Sequence, residues 1–186
     1  MSDSTSAAPT LHDFLRFWKE AGFKVWFSKD DAFDALLRGR YLALHEEVAE
    51  GGIDLWLTEP RTALAAIILL DQFPRNAFRG TPRMFSTDAR AKAMSERAIF
   101  AGHDQATEAE LRYFFYLPFE HSEELADQTR SVALHEALGT ANITKYAIDH
   151  RDIIERFGRF PHRNAVLGRA STPEEIAYLE SGGFAG

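Results

Sequence analysis

The sequence predicts an all-α protein: a compact array of roughly eight antiparallel helices of ordinary length. Three observations predict it. Apolar residues recur at three- and four-residue spacings nearly everywhere, as they do along one face of a helix. Capping patterns and closing glycines punctuate those stretches. And one stretch, Ala63 to Leu70, carries no polar residue; a helix apolar all the way round is one that other helices wrap. It is far too short to cross a bilayer, which takes about 20 residues.

In order, Met1 to Thr10 is small and polar and reads as a flexible N-terminal tail without the apolar region of a signal peptide. Leu11, Phe14, Leu15, Phe17 and Trp18 make a helical stripe that Gly22 stops, and Lys24 to Phe27 is a short aromatic link. A second helix starts near Ser28 to Asp31. It carries Phe33, Leu36, Leu37, Tyr41, Leu44 and Val48 and ends at Gly51-Gly52. Thr58-Glu59-Pro60 is a start signal for the core helix, Arg61 to Phe73. Pro74 is expected to end it by removing a donor.

Arg75 to Pro82 reads as a loop, and Asp88 to Ala101 as a helix followed by Gly102. Thr107-Glu108-Ala109-Glu110 has the form of a capping box opening an aromatic helix, Leu111 to Leu117, which Pro118 should kink. Ser122 is a natural cap for a helix to Leu138, closed by Gly139. Ile143 to Phe157 follows, with Tyr146, Ala147, Ile153, Ile154 and Phe157 expected inward. After the polar loop Gly158 to Asn164, Thr172-Pro173-Glu174-Glu175 opens a last helix to Leu179. Residues 11–181 therefore read as a single helical domain, and 182–186 as a C-terminal tail.

The chain has 186 residues, enough for a real core. Its net charge of −7 argues against nucleic acid and against an anionic membrane surface, both of which need a basic face. With no cysteine there is no disulfide and no thiolate chemistry, which suits a cytoplasmic protein.

Two words recur about one half-chain apart. Ala43-Leu44-His45-Glu46 returns as Ala133-Leu134-His135-Glu136, and Phe73-Pro74-Arg75-Asn76 returns as Phe160-Pro161-His162-Arg163-Asn164. Such self-similarity suggests two related helical halves, each offering a proline corner with an Arg and an Asn.

Asp71-Gln72-Phe73-Pro74-Arg75-Asn76, Leu117-Pro118-Phe119-Glu120-His121-Ser122-Glu123 and Arg159-Phe160-Pro161-His162-Arg163-Asn164 together resemble the hallmark stretches of the uncharacterised family called domain of unknown function 924. The resemblance runs from Phe14 to Leu179 and implies an all-helical fold similar to tetratricopeptide-repeat proteins. It implies no activity. Glu120 departs from the pattern, which leads one to expect Met there, so the site reading rests on His121 and Glu123.

Chemistry has two candidate centres. Asp71 ends a greasy helix where the dipole repels negative charge, so a cation must compensate it. Arg75, Asn76, Arg79, Arg163 and Asn164, with Arg156 and Arg159 near them, concentrate guanidinium in an acidic chain. Arg offers a planar fork for carboxylate or phosphate. One reading is a pocket for an anionic small molecule, with Asp71, Asp127 and His162 beside the arginines. The other is a structural network in which the arginines neutralise Asp71, Glu123 and Asp127. The second centre is His121 with Glu123, a pair suited to acid–base catalysis near neutral pH; helix capping by Ser122 and its neighbours is the plainer account.

No metal and no cofactor is assigned. His45-Glu46 and His135-Glu136 lack the second His of a zinc helix, and neither phosphate loop nor nucleophile elbow is present. A further class is an interaction module whose repeat groove holds an acidic or C-terminal peptide of a partner.

Overall fold

A computed structural model describes residues 8–185; the tail expected over residues 1–10 lies outside the described residues as far as residue 7. Every regular element among the described residues is helical. Thr10 and Asp13 close a capping box on α1, Leu11–Ala21, and a single turn, α2, Phe23–Trp26, replaces the expected aromatic link. The side chain of Asp30 caps α3, Asp31–Glu50. A 3-10 turn, Ile53–Trp56, leads to α4, Pro60–Ala77, and another, Pro82–Phe85, leads to α5, Asp88–Phe100.

α4 is the axle. Every residue from Ala63 to Pro74 is buried, and α1, α3 and α5 pack around it. Leu64, Ile67, Ile68, Leu69 and Leu70 are almost wholly enclosed, and each such side chain contributes about 1.5–3 kcal/mol on leaving water.

The core helix does not end at Pro74; it runs on to Ala77, and the amide of Phe78 still reaches the Pro74 carbonyl at 3.0 Å. Proline deprives the Leu70 carbonyl of its helical donor. The hydroxyl of Thr87 fills that vacancy at 2.5 Å, and a satisfied acceptor lets the helix continue. Arg75 and Asn76 thus stand on a rigid helix instead of a loop.

The expected aromatic helix is broken into α6, Ala109–Arg112, a 3-10 turn, Tyr113–Phe115, and α7, Leu117–Glu120. The capping box over Thr107 does not form, because the Thr107 hydroxyl donates backward to the His103 carbonyl. α8, Leu125–Leu138, starts later than Ser122, with Glu124 at its cap position. Its antiparallel partner is α9, Ala141–Phe157. Tyr146 points outward at 57% exposure, contrary to expectation, since Ala147, His150, Ile153 and Ile154 already fill the inner face. A 3-10 turn, Pro161–Arg163, carries the second corner, and α10, Pro173–Glu180, opens with the expected capping box.

The repeated words fall at matching places, Ala43–Glu46 in α3 and Ala133–Glu136 in α8, with the corners at or after the second helix of each hairpin. Their backbones differ: one proline lies inside a helix, the other opens a tight turn.

Candidate functional site

Asp71 lies in α4 more than a turn before its end, at 1% exposure, where the dry surroundings disfavour its charge. Three side chains answer it. His121, just after α7, holds its Nδ1 2.7 Å from Oδ1; Gln72 donates to Oδ2 at 2.6 Å; and Nη1 of Arg75, one turn on, lies 3.4 Å from Oδ1. Burial pushes the Asp71 carboxyl up, but His121 and Arg75 outweigh it and hold the group well below the usual carboxylate range. For His121 the balance tips the other way. Burial and the Arg75 charge favour the neutral ring against the pull of Asp71.

Arg75 also forks onto Asp88, with contacts of 2.8 and 2.9 Å. Asp88 is the first residue of α5, where a carboxylate suits the helix dipole. Nη1 of Arg163 approaches the Oδ2 that Arg75 already bonds, to 3.6 Å. The two proline corners therefore meet, and they meet on an aspartate.

Arg163 is the unusual member. It is 7% exposed, and its guanidinium lies between the rings of Phe85 and Phe160, 4.6 and 4.5 Å from their centroids. Asp88 is the one carboxylate within 4 Å of it among the described residues, too distant for a hydrogen bond, and Nε is buried without a partner. Burial and the Arg75 charge pull its pKa down to about 10.

His150 and His162 share the Phe160 ring with Arg163. The rings of His121 and His150 are 6.4 Å apart, and His150 packs on Phe160 and Phe184. His162 packs on the same two phenylalanines and leaves its Nδ1 buried and unpartnered. Burial keeps both neutral, holding His150 down at about 4, and His162, with Arg163 beside it, at about 3. Behind them Glu120, 5% exposed, lies between His150 Nδ1 at 3.5 Å and His135 Nε2 at 3.7 Å. Burial, then the Asp71 charge, pushes it up to about 8, so it is a neutral acid at pH 7. Among the described residues no group of three or more such side chains is disposed to hold a metal.

The residues singled out from the sequence divide. Asp71, Arg75, His121, His162 and Arg163 gather at this centre. Glu123 is forked by Arg169 at 2.7 and 2.9 Å and accepts the Phe160 amide at 2.8 Å, so it anchors the second corner. Asn76 accepts from Arg79, which reaches away to Asp34 on α3. Asp127 takes Lys92 and Ser122, both at 2.6 Å, and Asn164 donates to Ser171 and Glu175. Arg156 and Arg159 are engaged by Glu174 and Glu175. Asp88, Phe85 and His135 belong to the centre and were not singled out; the one signal for Asp88 was an acid opening a helix shortly after the first corner.

The arrangement has two chemical capacities. Arg163 can seat an oxyanion. His121, donating Nδ1–H to Asp71, presents Nε2 as its lone-pair nitrogen, and its 13% side-chain exposure leaves the ring reachable.

A family model described as "Bacterial protein of unknown function (DUF924)" matches residues 14–183. A solved structure of the protein of unknown function ATU0120 from Agrobacterium tumefaciens is similar at 49% sequence identity, with a TM-score of 0.88 over 92% of this chain and 97% of that one. No curated protein matches.

Proposed function

We propose, from the premise that this chain belongs to the DUF924 family of bacterial proteins of unknown function, that it binds an anionic small molecule on Arg163 and exchanges a proton with it through His121. One observation carries the reading: a guanidinium 7% exposed whose Nε is buried without a hydrogen-bond partner and whose Nη1 stands 3.6 Å from Asp88, beyond hydrogen-bond reach. A buried donor left unmade costs about 1–3 kcal/mol, more when charged, and a ligand oxyanion would supply the missing acceptor.

Charge bookkeeping supports the proton step. Arg75 and Arg163 balance Asp71 and Asp88, while His121 and Glu120 stay neutral. An arriving anion adds one uncompensated negative charge. That favours the charged imidazole, so binding loads a proton onto His121 Nε2, and Asp71 stabilises the resulting cation. His121 is then a general acid facing the ligand. The structural reading retains the Arg75 half, because its fork to Asp88 is already complete.

Calorimetric titration with inorganic phosphate and with acetate, each in two buffers of different ionisation heat, tests this. Binding with proton uptake is expected for the wild type, loss of binding for Arg163→Gln, and binding without uptake for His121→Asn. If neither anion binds, or Arg163→Gln binds as tightly as wild type, the reading fails.

A further inference from the structure

α3 has two apolar faces, and the fold covers one of them. Leu37, Tyr41, Leu44 and Val48 are buried; α3 packs on α4, and Tyr41 reaches Phe14 and Phe17 of α1. On the opposite side Ala32, Ala35, Leu36, Gly39 and Ala43 are exposed, Leu36 to 56%, with Leu42 half-buried among them. A shallow groove of about 540 Å³ runs along this side, lined by Ala35, Arg38, Gly39, Leu42, Ala43 and Glu46.

Gly39 is unexplained within one chain. Glycine in a helix interior weakens the helix relative to alanine, and a Cβ added here would meet nothing within 4 Å. Nothing among the described residues approaches close enough to require its absence. A body outside it would.

We propose that this body is α3 of a second copy, packed antiparallel about a two-fold axis near Leu42. The charges at the groove's edges select that occupant. Arg38 and Glu46 lie equally far on either side of Leu42 in sequence. The axis therefore sets Arg38 of each copy against Glu46 of the other, twice over, as an isologous contact demands. A parallel pairing would oppose like charges. Leu42 meets its own counterpart, while Gly39 and Ala43 let the two backbones draw close. Glu46 already receives Arg83 at 2.7 Å, but both are about half exposed, so the carboxylate can accept a second partner. One face of a helix about 30 Å long is a small interface, which makes the dimer reversible and concentration-dependent.

Sedimentation equilibrium on the full chain from about 1 μM to about 1 mM reads the outcome. The wild type is expected to pass from monomer to dimer within that range. Gly39→Leu should weaken dimerisation by about tenfold or more while melting no lower than wild type, since the added side chain clashes with nothing in its own fold. Arg38→Glu should do the same, and combining it with Glu46→Arg should restore the dimer. A wild type that stays monomeric throughout overturns the proposal; so does a Gly39→Leu protein that dimerises as readily, or a charge swap that restores nothing.

Discussion

The hydroxyl of Thr87 donates to the carbonyl of Leu70, 2.5 Å away, and Leu70 is the residue whose helical donor Pro74 removes. That bond is what allows a proline inside the central helix and what holds the start of α5 against it. Thr87→Val should leave a buried acceptor unsatisfied and lower stability by about 1–3 kcal/mol. In a Pro74→Ala background the amide at position 74 can serve the same carbonyl, so Thr87→Val should then cost less. Urea unfolding of the four proteins measures the coupling; additive losses would contradict it.

The arginines of the two corners should respond differently to removal. Arg75 is the permanent cation beside Asp71 and completes a fork with Asp88. Arg75→Gln strands a buried carboxylate and should destabilise by about 3–5 kcal/mol, with Asp71→Asn recovering part of the loss. Arg163→Gln breaks no hydrogen bond and should destabilise far less. Chemical denaturation ranks them, and equal losses would mean that Arg163 is as structural as Arg75.

Glu120 gives the stability a definite pH dependence. Its folded pKa, pushed up to about 8, lies above that of the unfolded chain near 4.5. Between those values the folded state holds the extra proton, so this group's contribution is whole below pH 4.5 and fades as pH rises through 8. His135 and His150, both held down near 4 by burial, act oppositely: their contribution is present above about 6.5 and fades as pH falls toward 4. From pH 6.5 to 8 only Glu120 still varies among these three. Glu120→Gln should therefore gain roughly 2–4 kcal/mol relative to wild type between pH 5 and pH 8, at about 1.4 kcal/mol per pKa unit. Unfolding curves at the two pH values decide it; a constant difference would place the Glu120 pKa outside that window.

Gly183 has its own steric reason. A Cβ there would stand 2.6 Å from the Tyr178 ring and carbonyl, and the next residue's amide donates to the Tyr178 hydroxyl at 3.0 Å. Gly183→Ala should break that latch and lift Phe184 off His150 and His162. Hydrogen exchange over residues 178–185 should quicken while the core stays protected. Unchanged exchange would show that the latch does not hold Phe184.

What could be read in the sequence was what depends on local pattern. Ala63 to Leu70 announced a wrapped helix because no solvent face could be drawn on it. Asp71 announced a missing cation because a carboxylate closing an apolar run has to be compensated; Arg75 supplies that cation, and the neutral His121 supplies a hydrogen bond. What could not be read depends on distant backbone. Thr87 gave no hint that its hydroxyl would repair a helix seventeen residues upstream, so Pro74 looked like a terminus. Asp88 resembled any acid in a first turn, though it joins the two corners. His135 and Glu120 are adjacent only because α7 packs on α8. Asn76 and Asn164 shared a motif with their arginines, but helical and turn geometries aim them elsewhere.

The grips on Asp88 differ in how they can form. Arg75 lies 13 residues away in the chain, whereas Arg163 must arrive from the far hairpin. A short loop closes fast and at little entropic penalty; a long one waits for whole elements to dock. The α4–α5 pair can therefore mature early, with Asp71 neutralised, before α9 delivers the second corner. The lone guanidinium reaches its place last, so the surface it offers to solvent is a late acquisition of folding and an early casualty of any partial opening.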